Sequence, residues 1–256
     1  MIFTIAAKEL KGLFASPLAW VVLTCAQVVL GYSFLRRLDD FLQVEPRLIR
    51  MASPPGITEL VAIPTFATAA AMLLFAVPLL AMRLIAEERR NQTMVFLMSA
   101  PVSVTDIVLG KFVGLVAFLA LMVAMVAFMP LTLAHGAALD YGLLASVTLG
   151  LTLLAAAFAA VGLYVSSLTA HPLVAAIGAF ATLLGMLLVG DTASDSLRAR
   201  NWHVPAALAQ VLSPLRNFEP LGKGIVDTHA VACLLLLTAA FLALAIRQLD
   251  ARRLTG

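Results

Sequence analysis

The chain has 256 residues, of which 62% are hydrophobic and 12% are charged, and its formal net charge is +3. Soluble domains carry about a quarter charged residues, so this composition excludes an ordinary water-soluble globule and indicates an integral membrane protein. The positive charge forms no basic run with interleaved aromatics, so we expect no nucleic-acid partner. Both cysteines, Cys25 and Cys233, lie in apolar runs and indicate neither a disulfide nor a metal site.

The first predicted element is an amphipathic helix over residues 2–15. Its apolar residues recur at helical spacing on one face, and its lysines line another, which suits the surface of an anionic leaflet. We therefore expect an interfacial helix that ends at Ser16-Pro17, the alternative being an ordinary flanking segment. The defining residues are Phe3, Leu10 and Leu13 on the apolar face and Lys8 and Lys11 on the polar face.

Six apolar runs are each long enough to cross a bilayer, which needs about 20 residues. They cover residues 18–35, 60–82, 107–129, 143–168, 173–190 and 230–247. The expected fold is therefore an all-α integral membrane protein with six transmembrane helices in a single domain over residues 1–256. Pro64 and Pro78 predict a bend in the second run. Small residues in the fourth and fifth runs favour close helix packing: Ala155, Ala159, Gly162, Gly178, Ala181 and Gly185.

The segment between the second and third runs is unusual, because four charges, Glu87 to Arg90, stand beside the short apolar run 94–98. Glu87 and Arg90 have the spacing of a local helical ion pair. The run is too short to span a bilayer and too apolar for free solvent, so it predicts a contact with a protein or with lipid. Pro101 ends it, and Ser103-x-x-Asp106 is typical of a helix N-cap.

Several kinds of chemistry find no support in the sequence. There is no P-loop, no HExxH, no GxSxG and no paired carboxylates, so we expect no catalytic residues and no ATP site in this chain. The histidines lie apart without ligand spacing and predict no metal site. No ionisable side chain is expected in mid-membrane, which disfavours a proton-coupled carrier. Lys and Arg are nearly balanced between the two sides, so they do not decide the orientation.

Three segments together resemble ABC-2-type transporter permeases, particularly the gliding-motility branch and more distantly the permease of nitrous oxide reductase maturation. They read A-A-K-E-L-K-G-L-F-A-S-P, then E-E-R-R-N-Q-T with A-P-V-S and I-V-L-G-K-F, then L-S-P-L-R-N-F-E-P-L-G-K-G-I-V-D. The likeness covers essentially the whole chain. It departs from the family at Gln92, where glycine is expected before the threonine.

The resemblance implies that the segment after the second span carries a coupling helix that docks on a cytoplasmic ABC ATPase subunit, which binds ATP and Mg. It places both termini in the cytoplasm of a bacterial-type inner membrane and implies a second permease copy or homologue. It also implies short outer-leaflet helices between the last two spans, where a compact loop is the alternative. The coupling residues would be Glu87, Glu88, Arg89 and Arg90 as a charged collar, with Met94, Val95, Phe96, Leu97, Met98 and Pro101.

The function expected on this basis is the permease subunit of an exporter with a lipid-like or hydrophobic cargo. Two alternatives stay open. The complex could transmit force to an outer partner without transport, or the chain could be a membrane scaffold that uses no ATPase.

Overall fold

The structure is a computed structural model that describes residues 1–48, 55–93, 103–135, 139–199 and 210–255. The described residues form helices and contain no strand. The helices, in chain order, are α1 (Ile2–Ala15), α2 (Pro17–Leu48), α3 (Ile63–Ala81), α4 (Glu88–Arg90), α5 (Val104–Leu131), α6 (Tyr141–Leu168), α7 (Pro172–Ala199), α8 (Pro214–Gly222) and α9 (Thr228–Thr255).

The predicted break after the first helix is confirmed. Ser16 has an extended backbone, with φ −87° and ψ 125°, and α2 begins at Pro17, which fixes the φ angle of a first helical turn. The Trp20 indole donates to the Phe14 carbonyl oxygen at 2.7 Å. The Phe14 ring also packs edge-on against Phe118 of α5, so the corner between α1 and α2 is held on the bundle by aromatic contacts.

The second predicted span departs from a regular α-helix at both ends. The π-helical segment Thr58–Ala62 precedes α3 two residues before Pro64, and a second π-helical segment, Arg83–Glu87, follows α3 shortly after Pro78. Pro64 has no N–H to donate to the carbonyl of Leu60, which lies inside the first π-helical segment, and the wider turn there accommodates the missing hydrogen bond.

Helix α6 lies at the centre of the bundle, where it contacts α3, α5, α7, α8 and α9. Its small residues allow close approach, as the sequence predicted: Ala155 and Ala159 are buried, and a Cβ on Gly162 would lie 2.7 Å from the Cβ of Ala81. In α7, Gly178 also approaches α6, whereas Ala181 is exposed and Gly185 has open space around it. The small-residue pattern therefore predicted the packing of α6 better than that of α7.

Five helical stretches of the described chain are long and apolar enough to cross a membrane: Pro17–Pro46, Thr58–Arg90, Val104–Ala134, Tyr141–Leu168 and Thr228–Arg252. The predicted fifth span coincides with α7, whose apolar part, Pro172–Leu188, is shorter than these. Its helix is confirmed, and a sixth crossing stays a prediction. The first predicted span, residues 18–35, is too short, because α2 continues well past residue 35.

Candidate functional site

The candidate site begins where α1 crosses the start of α5 at two glycines. A Cβ on Gly110 would lie 2.7 Å from the Cβ of Ile5, and a Cβ on Gly114 would lie 3.0 Å from the carbonyl oxygen of Ala6. Real Cβ atoms are not found so close to other atoms, so only glycine allows the two helices to approach this far. The G-x-x-x-G spacing puts both glycines on one face of α5, where they form a groove for α1.

Lys111 lies between these glycines in sequence, and its side chain is fully buried at 0% exposure. Its Nζ lies 2.9 Å from Glu9 Oε1 on α1 and 2.8 Å from Glu88 Oε2 on α4. The ammonium donates a hydrogen bond to Glu9. The buried Glu88 oxygen accepts no hydrogen bond in the described structure, so the short contact with Lys111 is an ion pair in which the donor geometry is poor. One buried cation thus joins three helices.

Two further pairs extend this cluster toward solvent. Lys8, which is 65% exposed, lies 3.6 Å from Glu88 Oε1, and Arg83 Nε lies 2.6 Å from Glu87 Oε2. Arg83 also donates to the Ser16 hydroxyl at the corner between α1 and α2. The cluster therefore contains three cations and three carboxylates and is electrically balanced. We call Lys8, Glu9, Arg83, Glu87, Glu88 and Lys111 the ionic junction.

The ionic junction borders an open cavity of about 220 Å³ between α1 and residues 83–91. Pairing explains how charges are tolerated next to such apolar helices, since an isolated buried ion would cost several kcal/mol. The ion pairs connect α1, α4 and α5 electrostatically.

The π-helical segment Arg83–Glu87 is held by a serine of the central helix. The Ser166 hydroxyl of α6 is buried and accepts from the backbone N–H of Ala86 at 3.1 Å and, more weakly, from that of Ile85 at 3.4 Å. Arg89 reaches the same end of α6 and donates to the Ser167 carbonyl oxygen at 3.0 Å. The chain that leads into residues 94–102 is therefore anchored on α6 as well as on α1 and α5.

The helix ends after Arg90 in a Schellman motif. The Thr93 N–H donates to the Glu88 carbonyl oxygen at 3.0 Å, and the Gln92 N–H donates to that of Arg89 at 3.2 Å. Gln92 is left-handed, with φ 58°, a conformation that favours glycine. The resemblance to ABC-2-type permeases led us to expect glycine at this residue, and a left-handed backbone is the conformation that glycine adopts most readily.

The predicted coupling residues divide into two groups. Met94, Val95, Phe96, Leu97, Met98 and Pro101 lie outside the described residues, so the coupling helix stays a prediction. The charged residues Glu87 to Arg90 are described, and they lie directly before that segment. The expected local pair of Glu87 with Arg90 is absent from the described ion pairs, because Glu87 binds Arg83 one turn earlier. Ser103 accepts from the Asp106 N–H at 3.0 Å, which confirms the predicted N-cap on the far side.

The structure shows which residues of α1 pack on the bundle, while its position at the membrane interface stays a prediction. Leu13 is buried and Leu10 is half-buried, but Phe3 is 83% exposed. The face that packs on α5 instead includes Ile5 and Glu9, because the glycine groove receives the backbone of α1 along that side. Lys8 and Lys11 are exposed as expected.

Sequence reasoning missed Glu9 and Lys111, the most buried members of the ionic junction. The signal was present as Gly110-x-x-x-Gly114, a spacing typical of close helix contacts in membranes, with a lysine inside it. A second cation inside a candidate span was also missed. Arg37 of α2 donates to the hydroxyls of Ser33 at 2.7 Å and of Thr68 at 3.0 Å, which links α2 to α3.

The described residues form several long apolar helices with an ion-paired charged end, which places the chain in the class of multi-pass membrane proteins. Residues 3–254 match the family model described as ABC-2 family transporter protein, so the chain belongs to that family. This family consists of transmembrane subunits that normally work with an ABC ATPase partner. No curated protein matches the chain at a significant level.

Proposed function

We propose that this chain is the permease subunit of an ATP-driven exporter, in which a separate ABC ATPase docks on residues 94–101 and moves the helices of the bundle. The observation that carries the proposal is the position of the ionic junction. The junction links three helices. Glu88 lies in α4, directly before that segment, and Lys111 lies in α5, directly after it. Lys111 contacts both Glu88 and Glu9, and Glu9 lies in α1. A force applied to the segment therefore acts on three helices together.

The proposed docking surface combines a central apolar contact with a charged residue at its edge. Val95, Phe96 and Leu97 would supply most of the affinity, and Arg90, which is exposed, would contribute specificity and association rate. Glu88 is a poor candidate for this edge, since it is only 19% exposed and is engaged by Lys111. ATP and Mg would be bound by the partner.

The wider arrangement follows the family. Two permease chains, either two copies or this chain with a homologue, would stand over two ATPase subunits in a bacterial-type cytoplasmic membrane, with both termini in the cytoplasm. The proposed cargo is lipid-like or hydrophobic, as expected from the strongly apolar spans of the described chain. The quoted motifs favour the gliding-motility branch, and we include that placement in the proposal.

The test is co-purification from membranes with the candidate ATPase, followed by its rate of ATP hydrolysis. The variant replaces Val95, Phe96 and Leu97 by alanine. The matched control replaces Ile225 and Val226, which are exposed aliphatic residues just before α9, at the opposite end of the bundle from the ionic junction. We expect the variant to lose the ATPase and the control to retain it.

Two results would contradict the proposal. If the unaltered chain binds no ATPase, the chain has no energy source and the scaffold alternative replaces the transporter. If the ATPase binds but its rate responds only to an outer partner and never to cargo, the force-transmitting alternative replaces export.

A further inference from the structure

The second feature of interest is a cleft at the opposite end of the bundle from the ionic junction. It lies between the first turns of α3 and the short helix α8, and its volume is about 380 Å³, which is within the usual range for small-molecule sites. Its wall on α3 consists of Ile63, Ala67 and Ala70, and its wall on α8 includes Leu215 and Phe218. The lining is therefore apolar over most of its depth.

Two opposite charges stand at the edge of this cleft. Glu219 and Lys223 both line it, both are exposed, and they lie four residues apart at the end of α8. Residues at this spacing on a helix commonly pair with each other. In the described structure neither one forms an ion pair, so a carboxylate and an ammonium are both available to a ligand.

The wall formed by α8 is firmly attached to the bundle. The Ser146 hydroxyl of α6 donates to the Leu221 carbonyl oxygen at 3.0 Å, and a Cβ on Gly150 would lie 2.7 Å from the Cβ of Leu221. The buried Asn217 donates to the Gln210 carbonyl oxygen at 2.9 Å. Gly224 then turns the chain with a left-handed φ of 80°. The spacing between α3 and α8 is consequently set by the fold before any ligand arrives.

We infer that this cleft binds a zwitterionic phospholipid of the surrounding bilayer, with its ammonium on Glu219 and its phosphate on Lys223. An acyl chain would lie against Ala67 and Phe218. The charges fit this occupant: a purely anionic headgroup would be repelled by the carboxylate, and a headgroup with a primary ammonium can donate hydrogen bonds to it. The α3 wall belongs to a strongly apolar candidate span, where phospholipid is the most concentrated amphiphile.

Another groove of the same bundle provides a comparison. It lies between α5 and α6, has a volume of about 590 Å³, and is lined by residues such as Ala127, Ala145 and Leu149 without any charged side chain. Any lipid tail can lie in such a groove, but nothing there selects a headgroup. A comparison of the two grooves therefore distinguishes binding that selects a headgroup from the general coating of an apolar surface by lipid.

The experiment is native mass spectrometry of the full chain in detergent. The chain is incubated with equal amounts of phosphatidylethanolamine, phosphatidylcholine and phosphatidylglycerol with identical acyl chains. We expect phosphatidylethanolamine to exceed phosphatidylglycerol in the bound fraction by about tenfold, the effect of one charge-assisted hydrogen bond. Phosphatidylcholine should also bind less, because its quaternary ammonium has no N–H to donate.

Three variants locate the site. Ala67→Phe should fill the cleft and remove most of the bound phosphatidylethanolamine, whereas the matched control Ala145→Phe should leave it unchanged. Glu219→Gln should abolish the preference for phosphatidylethanolamine over phosphatidylglycerol. Lys223→Gln should weaken both lipids. All four positions are exposed, so the fold should tolerate these changes, and a melting curve of each variant checks this.

The inference is overturned if the unaltered chain shows no headgroup preference, or if Ala67→Phe and Ala145→Phe reduce bound lipid equally. Should Ala67→Phe fail to fold, the two charge variants decide alone: an unchanged headgroup preference in Glu219→Gln, or unchanged binding of both lipids in Lys223→Gln, would overturn it. The measurement uses no ATPase, so its outcome is independent of the proposed transport function.

Discussion

Lys111 Nζ lies 2.9 Å from Glu9 Oε1, a contact between residues 102 positions apart in the chain. Because Lys111 is fully buried, its charge is stabilised mainly by Glu9 and by Glu88. This pair closes α1 over the start of α5 beside the glycine groove. It is therefore the first place to test how the cytoplasmic end predicted for this family member is held together.

Lys111→Met should strongly destabilise the protein. The change leaves two carboxylates near an apolar helix without their common cation, and breaking a buried pair in this way costs about 3–5 kcal/mol. The measurement is the melting temperature of the purified chain in detergent. Lys11→Met, which removes an exposed lysine of α1, is the control and should leave the melting temperature nearly unchanged.

A triple variant sharpens this test. Adding Glu9→Gln and Glu88→Gln to Lys111→Met removes the stranded charges, so part of the lost stability should return. If the triple variant is no more stable than Lys111→Met alone, the loss arises from packing around the lysine stem and the ion pairs are not its cause.

Gly114→Leu should detach α1 from α5. The Cβ alone would lie 2.8 Å from the Cβ of Glu9 and 3.0 Å from the Ala6 carbonyl oxygen, so the helices must separate. Increased cleavage of α1 by an added protease measures the change. The control is Gly31→Leu, because a Cβ at Gly31 meets no atom within 4 Å. Equal protection of α1 in both variants would contradict the role of the glycine groove.

Gln92→Gly should stabilise the end of α4. The left-handed backbone at φ 58° costs a residue with a Cβ about 1 kcal/mol, and glycine removes that cost. Asn91→Gly is the matched control, since Asn91 has φ −84° and glycine there adds only backbone entropy to the unfolded chain. Equilibrium unfolding of the two variants provides the comparison, and a gain in the control as large as that in Gln92→Gly would refute the explanation.

Ser166→Ala should loosen the π-helical segment that precedes α4. The Ala86 N–H would be left buried without its partner, which costs about 1–3 kcal/mol. Hydrogen exchange at residues 83–90 should rise accordingly. In the control Thr238→Ala, the lost hydroxyl donates only to the Leu234 carbonyl oxygen of its own helix, so no buried donor is exposed and exchange at residues 83–90 should not change.

Several features of this protein are determined by residues that lie close together in the sequence. Five of the six apolar runs, the break at Ser16-Pro17, the cap at Ser103 and the small residues of α6 each depend on neighbours within a few turns, and the structure has helices, break, cap and close packing there. Hydropathy and periodicity report such local properties directly, because a helix needs only its own residues to satisfy its backbone. Membership of the ABC-2 transporter family, confirmed over residues 3–254, also depends on contiguous motifs, whereas the gliding-motility branch stays a prediction.

Only the tertiary structure decided which side chains meet. Whether Glu87 binds Arg90 or Arg83, which face of α1 turns inward, and where Lys111 finds its carboxylates all depend on how α1, α4 and α5 approach one another. A spacing of three or four residues allows several local pairings, whereas the contact of Lys111 with Glu9 also requires the close approach that Gly110 and Gly114 permit. Long-range pairs such as Lys111 with Glu9 produce no periodic pattern in the sequence, because the two residues meet only once the helices have packed.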